Sequence, residues 1–125
     1  MNASAASISK VIGELEAYLG GLNSLRMRIL VKHLIDRLRA IIYELSKADH
    51  VELNQRLSKL LRDLLVAIEA LLHALDVYLR FLKGTRVEKD RAQNALSNAI
   101  SAVEAALDAI EAALGLGPNP SATSP

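Results

Sequence analysis

Five cations grouped in one stretch are the first residues of this chain that could do chemistry. Arg26, Arg28, Lys32, Arg37 and Arg39 lie close together among apolar neighbours. If the stretch is helical, at about 100° per residue, His33 and Arg37 fall within about 20° of Arg26, while Arg28, Lys32 and Arg39 gather about 200–240° away. Two basic rails then flank an apolar strip of Met27, Leu34, Leu38, Ile41 and Leu45, and the back of the helix carries Leu25, Ile29 and Tyr43 beside Asp36. Rails of this kind supply charge-assisted hydrogen bonds to phosphates. The same residues also serve as solvated flanks whose long side chains cover apolar neighbours. Aromatic residues make up only 3% of the chain, so any DNA or RNA bound here is followed by its phosphates and shape rather than by stacked bases.

A second constellation is Glu69, His73, Asp76 and Arg80, at successive spacings of four, three and four. On a helix these residues share one narrow stripe. Glu69, His73 and Asp76 have the chemistry of metal ligands, but Glu69 and His73 are four apart and so miss the Glu-x-x-His spacing of di-iron bundles. The stripe reads better as the solvated line of an otherwise apolar helix, with Asp76 and Arg80 as an i, i+4 pair, or as an intersubunit salt-bridge line. No metal or other cofactor is expected. The chain has no cysteine, which excludes disulfides and thiolate metal sites. His50 reads as an exposed helix-start residue, and Tyr18, Tyr43, Tyr78 and Phe81 read as core or interface aromatics. The Gly20-Gly21 and Gly115-Leu116-Gly117 segments are helix stops and not phosphate loops.

Arg28 and His33 form an R-x4-H spacing that resembles the signature of HEPN-type ribonucleases, small all-helical dimers in which an Arg and a His act on RNA phosphodiesters. The resemblance implies Arg28 and His33 as the reactive pair and extends to no other residue. Ile29 follows the arginine where that family commonly has a polar residue, and the motif lies in the second helix instead of late in the domain.

The elements that must position these residues are helices. Apolar residues make up 51% of the chain, and with so few aromatics the core must be built from Leu, Ile, Val and Ala, which favours helix. Stop and start signals divide the chain into helices at about 4–19, 23–48, 50–83 and 86–114. Gly20-Gly21 ends the first, Asn23 or Ser24 caps the second, Asp49 with Glu52 and Thr85 with Glu88 have capping-box spacing, and Gly115 with Pro118 ends the last. The expected fold is all-α, an antiparallel bundle of four helices of unequal length occupying residues 1–116. The long hairpin of helices three and four, each roughly 45–50 Å, dominates it. Residues 117–125 form a Pro/Ser-rich tail, expected to be disordered alone.

The last helix carries two heptad ladders side by side. Leu96, Ile100, Val103, Leu107, Ile110 and Leu114 form a bulky stripe; Ala95, Ala99, Ala102, Ala106, Ala109 and Ala113, each one residue ahead, form a smooth one. The bulky stripe suits the bundle core, and the alanine stripe suits close approach by a second helix, which makes it the expected subunit interface. Charge is polarised as well. Residues 22–62 hold nine basic residues against four acids, whereas residues 92–125 hold three acids and no basic residue.

A mean hydropathy of +0.22 encodes more apolar surface than a small bundle easily hides. A membrane span is not the explanation, because the closest candidate, 64–82, contains Glu69, Asp76 and Arg80. Residues 1–10 lack the basic region and apolar run of a secretory signal, so a cytoplasmic or virion location is expected. Together these features point to a non-enzymatic structural protein that self-assembles through helix packing, a capsid, coat or nucleoprotein-like subunit whose partners are its own copies and nucleic-acid phosphates. The general style is similar to that of small helical capsid proteins of archaeal filamentous viruses, a likeness of architecture without a shared motif. A designed or engineered bundle that binds a small ligand in its apolar interior, and a HEPN-like ribonuclease, are the alternatives.

Overall fold

A computed structural model describes residues 2–22, 24–47 and 51–115, with side chains described for 6–22, 24–45 and 57–115. Four helices account for nearly all of them: α1 (Asn2–Leu19), α2 (Leu25–Lys47), α3 (Val51–Arg80) and α4 (Arg86–Leu114). No strand occurs among the described residues. The most extensive contact is the long hairpin of α3 and α4; α1 packs on α2 and α3, and α2 packs on α1 and α4. Each helix therefore touches two others, and α2 and α3 stand on the diagonal of the bundle.

The chain folds this way because each helix carries one apolar stripe and one set of end signals. The stripes are Ile8, Val11, Ile12 and Leu15 on α1; Met27, Val31, Leu34, Leu38, Ile41 and Leu45 on α2; Leu57, Leu61, Leu64, Ile68, Leu71 and Leu75 on α3; and Leu96, Ile100, Val103, Leu107 and Ile110 on α4. All are buried, at i, i+3, i+4 and i+7 spacing. No polar or charged side chain among the described residues is buried with them. The core is aliphatic apart from the Met27 thioether, and Tyr18 and Tyr78 only pack against its edge.

The helix ends show the local chemistry directly. At the start of α2, Ser24 is the cap: the Met27 N–H donates to its Oγ at 3.3 Å and the Arg28 N–H to its carbonyl at 3.0 Å. At the start of α4 the capping box closes, with the Glu88 N–H donating to Thr85 Oγ1 at 3.2 Å and the Thr85 N–H to Glu88 Oε1 at 2.9 Å. Gly115 ends α4 in the left-handed region at φ 76°, where a residue without Cβ is favoured. The expected box of Asp49 with Glu52, the His50 side chain and the 117–125 tail lie outside the described residues.

The end of the third helix differs from expectation. α3 stops at Arg80 and the chain tightens into a 3₁₀ turn at Phe81–Lys83 instead of continuing to residue 83. The Gly84 N–H closes that turn by donating to the Phe81 carbonyl at 2.9 Å. A Cβ on Gly84 would stand 2.7 Å from Glu88 Oε1 and 3.3 Å from the Phe81 carbonyl oxygen. The capping box of α4 and the final turn after α3 therefore share one tight corner, where a Cβ would displace the Glu88 carboxylate.

Two glycines give opposite expectations. Gly13 lies inside α1, and a Cβ added there would meet no described atom within 4 Å, so Gly13→Ala should raise stability by about 0.5–1 kcal/mol through helix propensity. Gly84→Ala should lower it by about 1 kcal/mol by pushing Glu88 out of the capping box. Urea denaturation of the two variants checks both signs.

Candidate interaction surfaces

The basic rails of α2 divide once the neighbouring helices are in place. Arg37 turns toward α4, where Nη2 lies 2.5 Å from Asp108 Oδ1 and 2.7 Å from Glu111 Oε1, and Nε donates to Glu111 Oε2 at 3.0 Å. The bond to Glu111 is a bidentate fork. It is partly shielded from water, with side-chain exposure of 26% for Arg37 and 15% for Glu111, whereas Asp108 at 72% is open. The hydrogen bonds from Arg37 to Glu111 hold the arginine pKa above its ordinary value; burial opposes them and Asp108 adds to them. While its carboxylate partners are charged, a raised arginine pKa stabilises the fold below the unfolded arginine value and loses that contribution only in strong alkali, so the clamp should be insensitive to pH on the arginine side. Arg39 pairs with Glu16 of α1, both partners being exposed.

Arg37 and Arg39, expected as phosphate contacts, thus have their charges answered within the chain. Two of the acids of α4, Asp108 and Glu111, are likewise matched by an α2 arginine of the same molecule. The other three cations of the group, Arg26, Arg28 and Lys32, are exposed and form no ion pair among the described residues. Two large aliphatic side chains stand among them in the open: Leu25 is 69% exposed and Ile29 50%. Tyr43, further along the same helix, is also exposed.

The alanine ladder of α4 also divides. Ala99 and Ala106, seven residues apart, are half-buried and pack against the core; Ala95, Ala102, Ala109 and Ala113 are exposed. Their exposed neighbours Asn98, Ser101, Ala105 and Ala112 are also small. From Ala92 to Gly115 the charged residues are Glu104, Asp108 and Glu111; Glu104 is half-buried and the other two bond Arg37. From Ala92 onward the outward face of α4 is consequently smooth and almost without charge, in contrast to its first turns, where Arg86, Glu88, Lys89, Asp90 and Arg91 are exposed. Heptad spacing reveals the ladder, but the split into an inner and an outer half depends on where α2 and α3 lie.

On α3, Glu69, His73 and Arg80 are exposed and Asp76 half-buried, with Arg80 Nη2 2.9 Å from Asp76 Oδ2 in the expected i, i+4 pair. A groove of about 350 Å³ between α1 and α3 is lined by Glu14, Tyr18, Leu72, His73 and Asp76; Glu14, contributed by another helix, is the member that the spacing of α3 did not reveal. Among the described residues no group of three His, Asp or Glu side chains is placed to hold a metal ion. A second groove of about 330 Å³, between α1 and α2, passes over Ile12, Gly13 and Ile42 beside the Glu16–Arg39 pair. Both are open surface grooves. Arg28 and His33 are exposed on α2, and five positions of helix separate them by about 140° around its axis. Among the described residues no helix is long and apolar enough to cross a membrane.

Comparison of the chain with family models, with curated proteins and with solved structures finds no match.

The two arginine pairs should differ in energetic weight. Arg37→Ala removes a partly shielded fork and leaves two carboxylates facing each other, for a loss of about 1–3 kcal/mol. Arg39→Ala breaks an exposed pair and should lose less than about 1 kcal/mol. Thermal unfolding of both variants, with an Arg37/Glu111 double-mutant cycle, measures the contrast; equal small losses would show that the fork contributes no more than a surface pair.

Proposed function

We propose that this chain is a non-enzymatic structural subunit that self-associates through the outward face of α4, a coat or nucleoprotein-like building block that uses the free cations of α2 to bind phosphates. The observation that carries the reading is the state of that face after folding. Soluble bundles solvate their outer helix faces with long charged side chains. Between Asn98 and Ala113 this helix offers instead exposed Ser101, Ala102, Ala105, Ala109 and Ala112, with Asp108 as the exposed charge. Such a surface lets another backbone come near the short end of the 8–10 Å range for packed helices. Small side chains at this spacing favour its use in packing.

The phosphate-binding part of the reading rests on Arg26, Arg28 and Lys32, which are exposed and unpaired among the described residues. Asp108 and Glu111 are engaged within the chain, so they do not draw a second copy onto those cations.

The two halves of the alanine ladder separate assembly from folding. Ala102→Glu with Ala109→Glu places charge on the exposed half and should leave the helical signal and unfolding midpoint nearly unchanged while abolishing association in sedimentation velocity. Ala99→Leu or Ala106→Leu overfills the half packed on the core and should lower stability by about 1–3 kcal/mol. A wild-type chain that stays monomeric at high concentration would falsify the assembly reading.

A further inference from the structure

We infer that the first two turns of α2 form a docking surface for an anionic lipid bilayer, with Leu25 and Ile29 entering the headgroup boundary and Arg26, Arg28 and Lys32 held at the level of the phosphates. The inference rests on the reading that these cations bind phosphates, and it names the molecule that carries them.

The arrangement of side chains around the helix chooses between phosphate sources. Leu25 and Ile29 lie within about 40° of each other, opposite the buried strip of Met27, Leu34 and Leu38, and both are exposed, at 69% and 50%. Arg26 stands to one side of this pair and Arg28 to the other, about 160° apart around the axis, and Lys32 follows one turn further on. A nucleic-acid backbone is a narrow line of charge. It offers no apolar region for the exposed Leu25 and Ile29 to enter, and contact with it would leave both aliphatic side chains in water. A bilayer is a plane. The aliphatic centre can dip into it while cations on either side remain at headgroup height, which is how interfacial helices distribute apolar and basic residues.

The surroundings mark where the patch ends. Asp36 lies on the same outward line and is exposed, so an anionic surface is repelled beyond the first two turns. Arg37 and Arg39, which would otherwise extend the basic region, are turned to Glu111 and Glu16. The resulting attachment is peripheral, in keeping with the lack of a spanning helix among the described residues.

The test uses the full chain and sedimentation with large unilamellar vesicles, either pure phosphatidylcholine or with about one third phosphatidylserine. The wild type should partition into the anionic vesicles at least about tenfold better than into neutral ones, and added salt should weaken the difference. Leu25→Ser with Ile29→Ser leaves the charge unchanged, and because both side chains are exposed the fold should persist by circular dichroism; binding should fall about tenfold or more. Arg28→Ala with Lys32→Ala should lower it by a similar factor. Vesicle binding that ignores the Leu25/Ile29 substitutions overturns the inference. Binding of a duplex DNA or RNA probe without vesicle binding overturns it while leaving the phosphate reading intact; binding of neither overturns both. Loss of self-association in the Leu25/Ile29 variant without vesicle binding assigns the patch to a second copy and overturns it as well.

Discussion

The bidentate bond between Arg37 and Glu111 is the one directional contact among the described residues that ties the two hairpins of this bundle together through a partly water-shielded site. The aliphatic core around it supplies most of the driving force but little instruction. Leu, Ile and Val stripes on four helices can slide or rotate by a step and still bury comparable area, because hydrophobic attraction is non-directional. A planar guanidinium locked onto one carboxylate admits far fewer arrangements. Holding residue 37 on α2 against residues 108 and 111 on α4 favours one height and one rotation of α4. The rotation decides which alanines face inward and which face solvent. The use of a polar contact to select one packing from several is a known role for such groups in helical assemblies.

That contact also changes what the surface charge means. Along the chain the charges look strongly polarised, basic in the second helix and acidic in the last. Folding puts those two helices side by side and cancels part of the polarity internally. Asp108 and Glu111 belong to the clamp, and Glu16 of α1 answers Arg39. Among the described residues two surfaces then stand out: a small cationic patch with two aliphatic side chains at one end of α2, and a smooth, nearly uncharged face on α4 from Ala92 onward. Both are consequences of which charges the fold consumed.

Much of this was legible from local signals and the rest was not, for a physical reason. Helix limits followed from Ser24, Gly20-Gly21, Thr85 with Glu88 and Gly115, because caps act over three or four residues. The buried ladder of α4 followed from its heptads, since an uninterrupted apolar stripe has nowhere else to go. The i, i+4 pair of Asp76 with Arg80 was visible for the same reason. The fate of Arg37 was not, because its partners lie more than 70 positions away and a helical wheel ranks it with Arg26, which stays exposed. The split of the alanine ladder is equally non-local: Ala99 and Ala102 have the same side chain and the same period, and only the position of neighbouring helices separates them. The change from α to 3₁₀ geometry at Phe81–Lys83, closed by the Gly84 N–H on the Phe81 carbonyl, is a detail of one turn that no periodicity reports.

The two leftover surfaces make better sense together than apart. Each free cation near an anionic membrane is worth about 1 kcal/mol, and two partly inserted aliphatic side chains add an amount of the same order. From this must be subtracted the loss of translational and rotational freedom on docking, about 4 kcal/mol or more, so one copy alone holds a bilayer weakly. In the proposed assembly, copies joined through the α4 face would incur most of that entropic loss once for the whole array, and each further patch would then bind at a high effective concentration. On these two proposals, attachment would depend steeply on assembly: free subunits would leave the surface, and assembled ones would stay. The same physics favours keeping the patch small, because a patch strong enough to hold a single copy would remove that dependence.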